Sequence, residues 1–194
     1  MTISHAYEVR AQHERFKGPV FRVVTDDVAM PGGRVAGRDY LQHVGSVGVV
    51  AVDGDGQVVL IRQYRHPVRQ HMWEVPAGLA DVPGEELPSL AARELAEEAE
   101  LVAGRLDLLL DLHTSPGCSN ERIRLFLARD LRPVDASFEF ERHDEEAELE
   151  VRRFDLDAAV SMALAGEITN GPTVAGLLAA ARVRDAGWNG LRPA

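Results

Sequence analysis

The chain has 194 residues, 45% of them apolar and 27% charged, which suits one soluble globular domain with a sizeable core. A formal net charge of −10 argues against a non-specific binder of nucleic acid or of anionic membranes, both normally basic, and leaves room for a small anionic ligand. The single cysteine, Cys118, rules out an internal disulfide framework, so a reducing cytoplasm is the expected compartment.

The N-terminus to Arg15 is polar, lacks an apolar signal core, and reads as irregular or as a frayed strand. Val20 to Asp27 alternates apolar and polar residues, as a half-buried strand does. After the Met30-Pro31-Gly32-Gly33 turn, Val35 to Val44 reads as a second strand. Residues 1–44 thus predict a small antiparallel β subdomain that needs a partner surface, and self-association would supply one. Residues 45–194 form the main domain. Val47 to Val52 and Gln57 to Tyr64 read as strands joined by the Asp53-Gly54-Asp55-Gly56 turn. Met72 to Pro76 is short and extended. Beyond a mid-chain helix, strands are expected at Leu106–His113, Ile123–Ala128 and Val151–Asp155. The stretch from Asp135 to Glu148 is acidic and loop-like. Asp155 is placed to cap a helix over Leu156–Ala165, and a last helix runs from Pro172 to Ala186. Strands flanking a mid-chain helix, with helices at the end, predict an α/β sandwich around a mixed sheet. No run is long and apolar enough to span a bilayer.

The mid-chain helix carries the densest chemical signal. From Ser89 to Ala103 there is neither glycine nor proline, and Leu, Ala, Glu and Arg dominate. On a helical wheel Glu97 and Glu98 fall roughly 60° to one side of Glu94 and 40° to the other. Three carboxylates therefore share one face, while Leu90, Ala91, Leu95 and Ala99 supply an inner side. Arg93 lies one turn before Glu97 and can pair with it. Carboxylates so close repel. Such a face is either simply solvated or a site for a hard cation such as Mg2+, whose oxygen preference and charge suit it.

Spacing separates these alternatives. Glu85, seven residues, then Arg93-Glu94-Leu95-x-Glu97-Glu98 resembles the signature of the Nudix hydrolases, here within residues 78–101. Six residues rather than five separate Gly78 from Glu85, and Glu100 stands where the signature has glycine. Either Glu100 ends the helix in a left-handed conformation, at about 1 kcal/mol, or the helix runs on toward Gly104. Outside the signature, Gln63-Tyr64-Arg65-His66-Pro67, Trp73-Glu74-Val75-Pro76-Ala77-Gly78, Thr114-Ser115-Pro116-Gly117 and Glu145-Glu146 resemble the ADP-ribose pyrophosphatase branch of that family.

The resemblance implies a Nudix α/β/α fold, a homodimer with an exchanged N-terminal subdomain, and Mg2+-dependent hydrolysis of ADP-ribose to AMP and ribose 5-phosphate, with Mn2+ as a possible substitute. Another nucleoside diphosphate sugar (GDP-mannose or ADP-glucose) and a nucleotide sensor without turnover are the alternatives. It also implies roles: Glu94, Glu98 and the Ala77 carbonyl as metal ligands, Glu97 paired with Arg93 behind them, and Glu146 as general base with Glu145 the alternative. Arg65 matches a diphosphate-binding arginine. Glu74 is a candidate ribose contact, with a core or loop hydrogen bond as the equal alternative. Arg38 and Phe21 are candidates to reach a partner's nucleotide pocket. Glu85 steadies the start of the helix, and Trp73 is read as core.

Overall fold

The computed structural model describes residues 6–138, 140 and 148–194. The chain forms two compact units: the residues up to Gly45 together with His113–Arg122, and Ser46–Leu112 together with Ile123–Ala194.

The first unit is built on a three-stranded antiparallel sheet of β1 (Val9–Lys17), β2 (Phe21–Ala29) and β3 (Val35–His43), with β2 central. β2 and β3 stand where the sequence places strands, although burial along β2 does not alternate: Val24, Thr25 and Asp26 are all buried. β1 is a full nine-residue strand where an irregular segment or a frayed strand was expected. Most of its side chains are polar and nearly all are exposed, Val9 and Phe16 included, so periodicity gave no sign of it. Ladder hydrogen bonds and cross-strand pairs hold it instead, including Gln12 donating to Asp26 (2.8 Å) and Arg15 donating to the Thr25 hydroxyl (2.7 Å).

The second unit is an eight-stranded mixed sheet. Its main path runs β10 (Glu150–Asp155), β5 (Gln57–Arg65), β4 (Ser46–Val52), β9 (Arg122–Pro133), β8 (Leu101–His113) and β11 (Arg192–Pro193). β4 and β9 are parallel, whereas β4–β5 and β5–β10 are antiparallel. Strand alternation explains the layering. Val47, Val49, Ala51, Val59, Phe126 and Ala128 pack with Leu90, Ala91, Leu95 and Ala99 of α1 (Leu87–Ala99). Val50, Val52, Val58, Leu60, Leu125 and Leu127 pack on the opposite face with α2 (Leu156–Leu164) and α3 (Gly171–Asp185). The central strands are therefore apolar on both sides, as a sheet covered by helices requires. Each fully buried leucine among these contributes about 1.5–3 kcal/mol. Gly176 lets α3 sit close to β4, since a Cβ there would lie 2.8 Å from the Val50 side chain.

One irregularity shapes the functional region. β5 pairs with β4 only at Val58 and Val59, then pairs with β6 (Gln70–Glu74) instead. β7 (Ala77–Leu79) takes the vacated edge of β4, along Ser46–Gly48. The single extended stretch expected at Met72–Pro76 is thus two short strands with Val75 and Pro76 between them.

The helix ends divide the expectations. The Asp155 carboxylate caps α2 by accepting from the Ala158 amide at 3.0 Å, as the sequence suggested. The cap of α3 is Asn170, accepting from Thr173. α1 stops at Ala99, and Glu100 is left-handed at φ 56°. The chain then enters β8 at once, which is why that strand starts at Leu101 rather than Leu106. Gly104 lies within β8, so it is not the terminator. Glu100→Gly should relieve the strained cap and raise unfolding free energy by about 0.5–1 kcal/mol, read as a shifted urea midpoint at unchanged m-value.

Candidate active site

The site is assembled from α1, the β6–β7 linker and the end of β5, all within the second unit. A turn at Pro83-Gly84 delivers the chain to α1, whose first turn contains Pro88, a position that tolerates the missing amide. The apolar side of α1 is anchored on β4, and its carboxylates then divide by environment rather than forming one solvated face.

Glu98 is the buried member, with 3% of its surface exposed. Its Oε2 accepts a hydrogen bond from the Ala77 amide at 2.7 Å. Glu94 lies one turn earlier against the backbone of Gly78, where any Cβ would overlap its carboxylate. The signature glycine is thus the space in which Glu94 sits. Arg93 joins the rest. Its Nε and Nη2 grip Glu85 at 3.0 and 3.1 Å, while its Nη1 donates to Glu97 at 2.9 Å and lies 3.0 Å from Glu94. Hydrogen bonding to Glu85, partly opposed by desolvation and reinforced by the charges of Glu94 and Glu97, drives the guanidinium further above its ordinary pKa. The expected Arg93–Glu97 pair is present, and Glu85 adds a two-pronged link from the loop to the helix.

The sequence points to Arg65 as a phosphate contact and leaves Glu74 between a ribose contact and a core or loop hydrogen bond. The two side chains are bound to each other. Arg65 Nε and Nη2 donate to the Glu74 carboxylate at 3.0 and 2.7 Å, and Glu74 is only 2% exposed. An arginine at the end of β5 therefore has a structural task, which a sequence reading that saw only an apolar strand end did not supply. Its side chain remains 43% exposed, so its outer edge faces solvent. Trp73 packs edge-on against Phe154 at 5.0 Å and is flanked by the guanidiniums of Arg152 and Arg62, in keeping with a core role at the sheet margin.

Arg38 belongs to the first unit and donates to the Gly37 carbonyl at 2.8 Å. Glu145 and Glu146 lie outside the described residues. Thr173, which the sequence did not flag, reaches the same linker from α3: its Oγ1 accepts from the Val75 amide at 3.0 Å, and the Asn170 side chain ahead of the helix holds Thr173. A threonine in the first turn of a helix looks like a cap and nothing more, so sequence carried no usable signal for this contact.

Among the described residues no three His, Cys, Asp or Glu side chains are gathered as a ready-made metal cage. The donors nonetheless fit a hard divalent cation. Glu94 and Glu98 offer carboxylate oxygens from one side of a helix, the Ala77 carbonyl lies in the adjoining strand, and Mg2+ commonly takes only one or two protein carboxylates and completes its shell with water and substrate phosphate.

A model of the NUDIX domain matches residues 42–176. The chain belongs to the Nudix family. ADP-ribose pyrophosphatase of Mycobacterium tuberculosis (strain ATCC 25618 / H37Rv) is 40% identical to this Nudix chain over 175 residues, covering 90% of this chain and 83% of that protein. ADP-ribose pyrophosphatase of Bacillus subtilis (strain 168) is 32% identical over 163 residues, covering 84% and 86%. A solved structure described as ADP compounds hydrolase matches with a TM-score of 0.78, covering 94% of this chain and 97% of that one; at 22% identity it bears on the fold alone. The Nudix signature maps onto the Glu85–Arg93–Glu94–Glu97–Glu98 constellation just described, and the departures at the loop and at Glu100 leave it intact.

Hydrogen bonding from Arg93, against an opposing cost of desolvation, holds the Glu85 carboxyl below the ordinary glutamate range. A carboxyl depressed in the folded state adds stability that is complete above its unfolded pKa and is lost as pH falls through the folded value. Acidification below about pH 4.3 should therefore remove this contribution. Glu85→Gln should make the fall of unfolding free energy across that window shallower, measured by urea titration at a series of pH values.

Proposed function

We propose that this protein hydrolyses the diphosphate of ADP-ribose to AMP and ribose 5-phosphate with Mg2+ as cofactor. The observation that carries the reading is the buried Glu98 carboxylate fixed on the Ala77 amide, with Glu94 one turn before it. The two ADP-ribose pyrophosphatases, similar over more than four-fifths of the chain, support the choice of substrate. The protein is a Nudix pyrophosphohydrolase.

Glu94, Glu98 and the Ala77 carbonyl are the groups that would hold the cation. When bound, it neutralises the crowded diphosphate oxygens and lowers the pKa of the attacking water. The side chains then have separable tasks. Arg93 keeps Glu94 and Glu97 in one arrangement and prevents their mutual repulsion from splaying the helix face. The exposed edge of Arg65 meets the diphosphate, while Glu74 holds that guanidinium in place and lies beside the ribose. Glu146 accepts the proton of the water as its oxygen attacks phosphorus and the bridging P–O bond breaks. Arg38 and Phe21 are nucleotide contacts supplied by a partner subunit.

The same reading makes the protein a cytoplasmic homodimer, with neither nucleic acid nor membrane as partner. Val9, Phe16, Phe21 and Val35 of the N-terminal sheet are exposed in the single chain, which supports self-association there. Among the described residues no helix is long and apolar enough to cross a membrane.

A panel of ADP-ribose, ADP-glucose, GDP-mannose and a dinucleotide, each with and without Mg2+, tests the proposal by product identification. ADP-ribose should give AMP and ribose 5-phosphate at the highest kcat/KM; binding without products would instead make the protein a sensor. Glu98→Gln should abolish Mg2+-dependent turnover while leaving the melting profile of a folded protein, and near-normal activity would refute the ligand assignment. Glu146→Gln should lower kcat by about 100-fold or more with KM little changed; an effect confined to KM would remove Glu146 as the base.

A further inference from the structure

The linker from Glu74 to Ala77 is tied at four successive residues to four different elements. The Glu74 carboxylate takes Arg65 of β5, and the Val75 amide donates to Thr173 of α3. The Pro76 carbonyl accepts from the Val49 amide of β4 at 2.8 Å, and the Ala77 amide donates to Glu98 of α1. Three of these ties come from β4, β5 and α1. The fourth crosses from the opposite helix layer.

Thr173 is completely buried, and its hydroxyl has a defined direction. Its proton goes to Asn170 Oδ1 at 2.9 Å, which turns its lone pairs toward the Val75 amide. The same Asn170 oxygen accepts the Thr173 amide at 3.0 Å. Val75 is itself buried, and proline follows it, which confines it to extended backbone. With one end of the linker fixed by Thr173 and the next amide presented to Glu98, the carbonyl and amide of Ala77 have little freedom to rotate.

We infer that Thr173, oriented by Asn170, is a positioning residue for the Ala77 backbone, and that it sets metal affinity without touching the metal. Its catalytic consequence rests on the hydrolase reading; its structural core does not. Supporting groups of this kind typically change metal affinity or activity by about 10–100-fold when lost.

The test uses the full chain, labelled for amide exchange, with Thr173→Val as the near-isosteric change that removes the acceptor. Ala77 amide exchange should accelerate by about tenfold or more while Val47 in β4 stays within about twofold. Affinity for Mn2+ alone, read by paramagnetic resonance, should weaken by about fivefold or more, and Thr173→Ser should restore both within about twofold. Asn170→Ala, at a half-buried position, should give the same pattern with smaller amplitude, and it serves if Thr173→Val does not fold. Wild-type protection of Ala77 in either folded variant, or equal acceleration across β4 and β7, overturns the inference. A protein that follows the expected exchange and Mn2+ pattern yet leaves ADP-ribose uncut would refute the functional proposal and not this one.

Discussion

A single guanidinium shared by three carboxylates holds the working face of this protein together. Glu85, Glu94 and Glu97 all lie within 3.0 Å of Arg93. Two like charges at roughly 4 Å repel by about 4 kcal/mol at the effective dielectric of a protein surface, so the face without Arg93 would oppose its own helix. A lysine would not substitute. The planar fork reaches Glu85 with two nitrogens while the third addresses α1, and a point charge on a flexible stem cannot do both. Glu98, on the same helix, is held by the backbone of β7, through the Ala77 amide.

That partnership depends on the sheet. β5 abandons β4 after a short ladder, and β7 fills the place it leaves. The substitution brings the Ala77–Gly78 backbone to the edge facing α1. Gly78 then makes room for Glu94, and the Ala77 amide meets Glu98. The two-sided burial of β4 and β9 keeps both helix layers at fixed distance, so that α1 and α3 can reach the same four-residue linker from opposite faces.

Much of this was readable from residues. The helix, its apolar side, the Arg93–Glu97 pair and the α/β class followed from period and spacing, because those features are local or nearly so. What escaped was non-local. A helical wheel cannot distinguish a solvated glutamate from one buried under a neighbouring strand, and so Glu98 looked like its companions. β1 reads only as irregular or as a frayed strand because its stability comes from ladder bonds to β2 and not from an apolar face. Arg65 and Glu74 gave no sign of pairing because eight residues lie between them in sequence, whereas the β5–β6 pairing lets their side chains meet. Glu100 was the intermediate case: the two outcomes could be named beforehand, and only the observed φ chose between them.

The Val75–Thr173 bond joins residues 98 apart along the chain, against 21 for Ala77–Glu98. A polypeptide emerging from the ribosome can complete the second long before the first. The Ala77–Glu98 contact therefore needs only the chain through α1, but the Val75 amide beside it stays unlatched until Thr173 has been made. Closing so wide a loop is entropically slow. Any chain that lacks α3 thus lacks this fastening of the Val75 amide, whatever else of the sheet and of α1 it has formed.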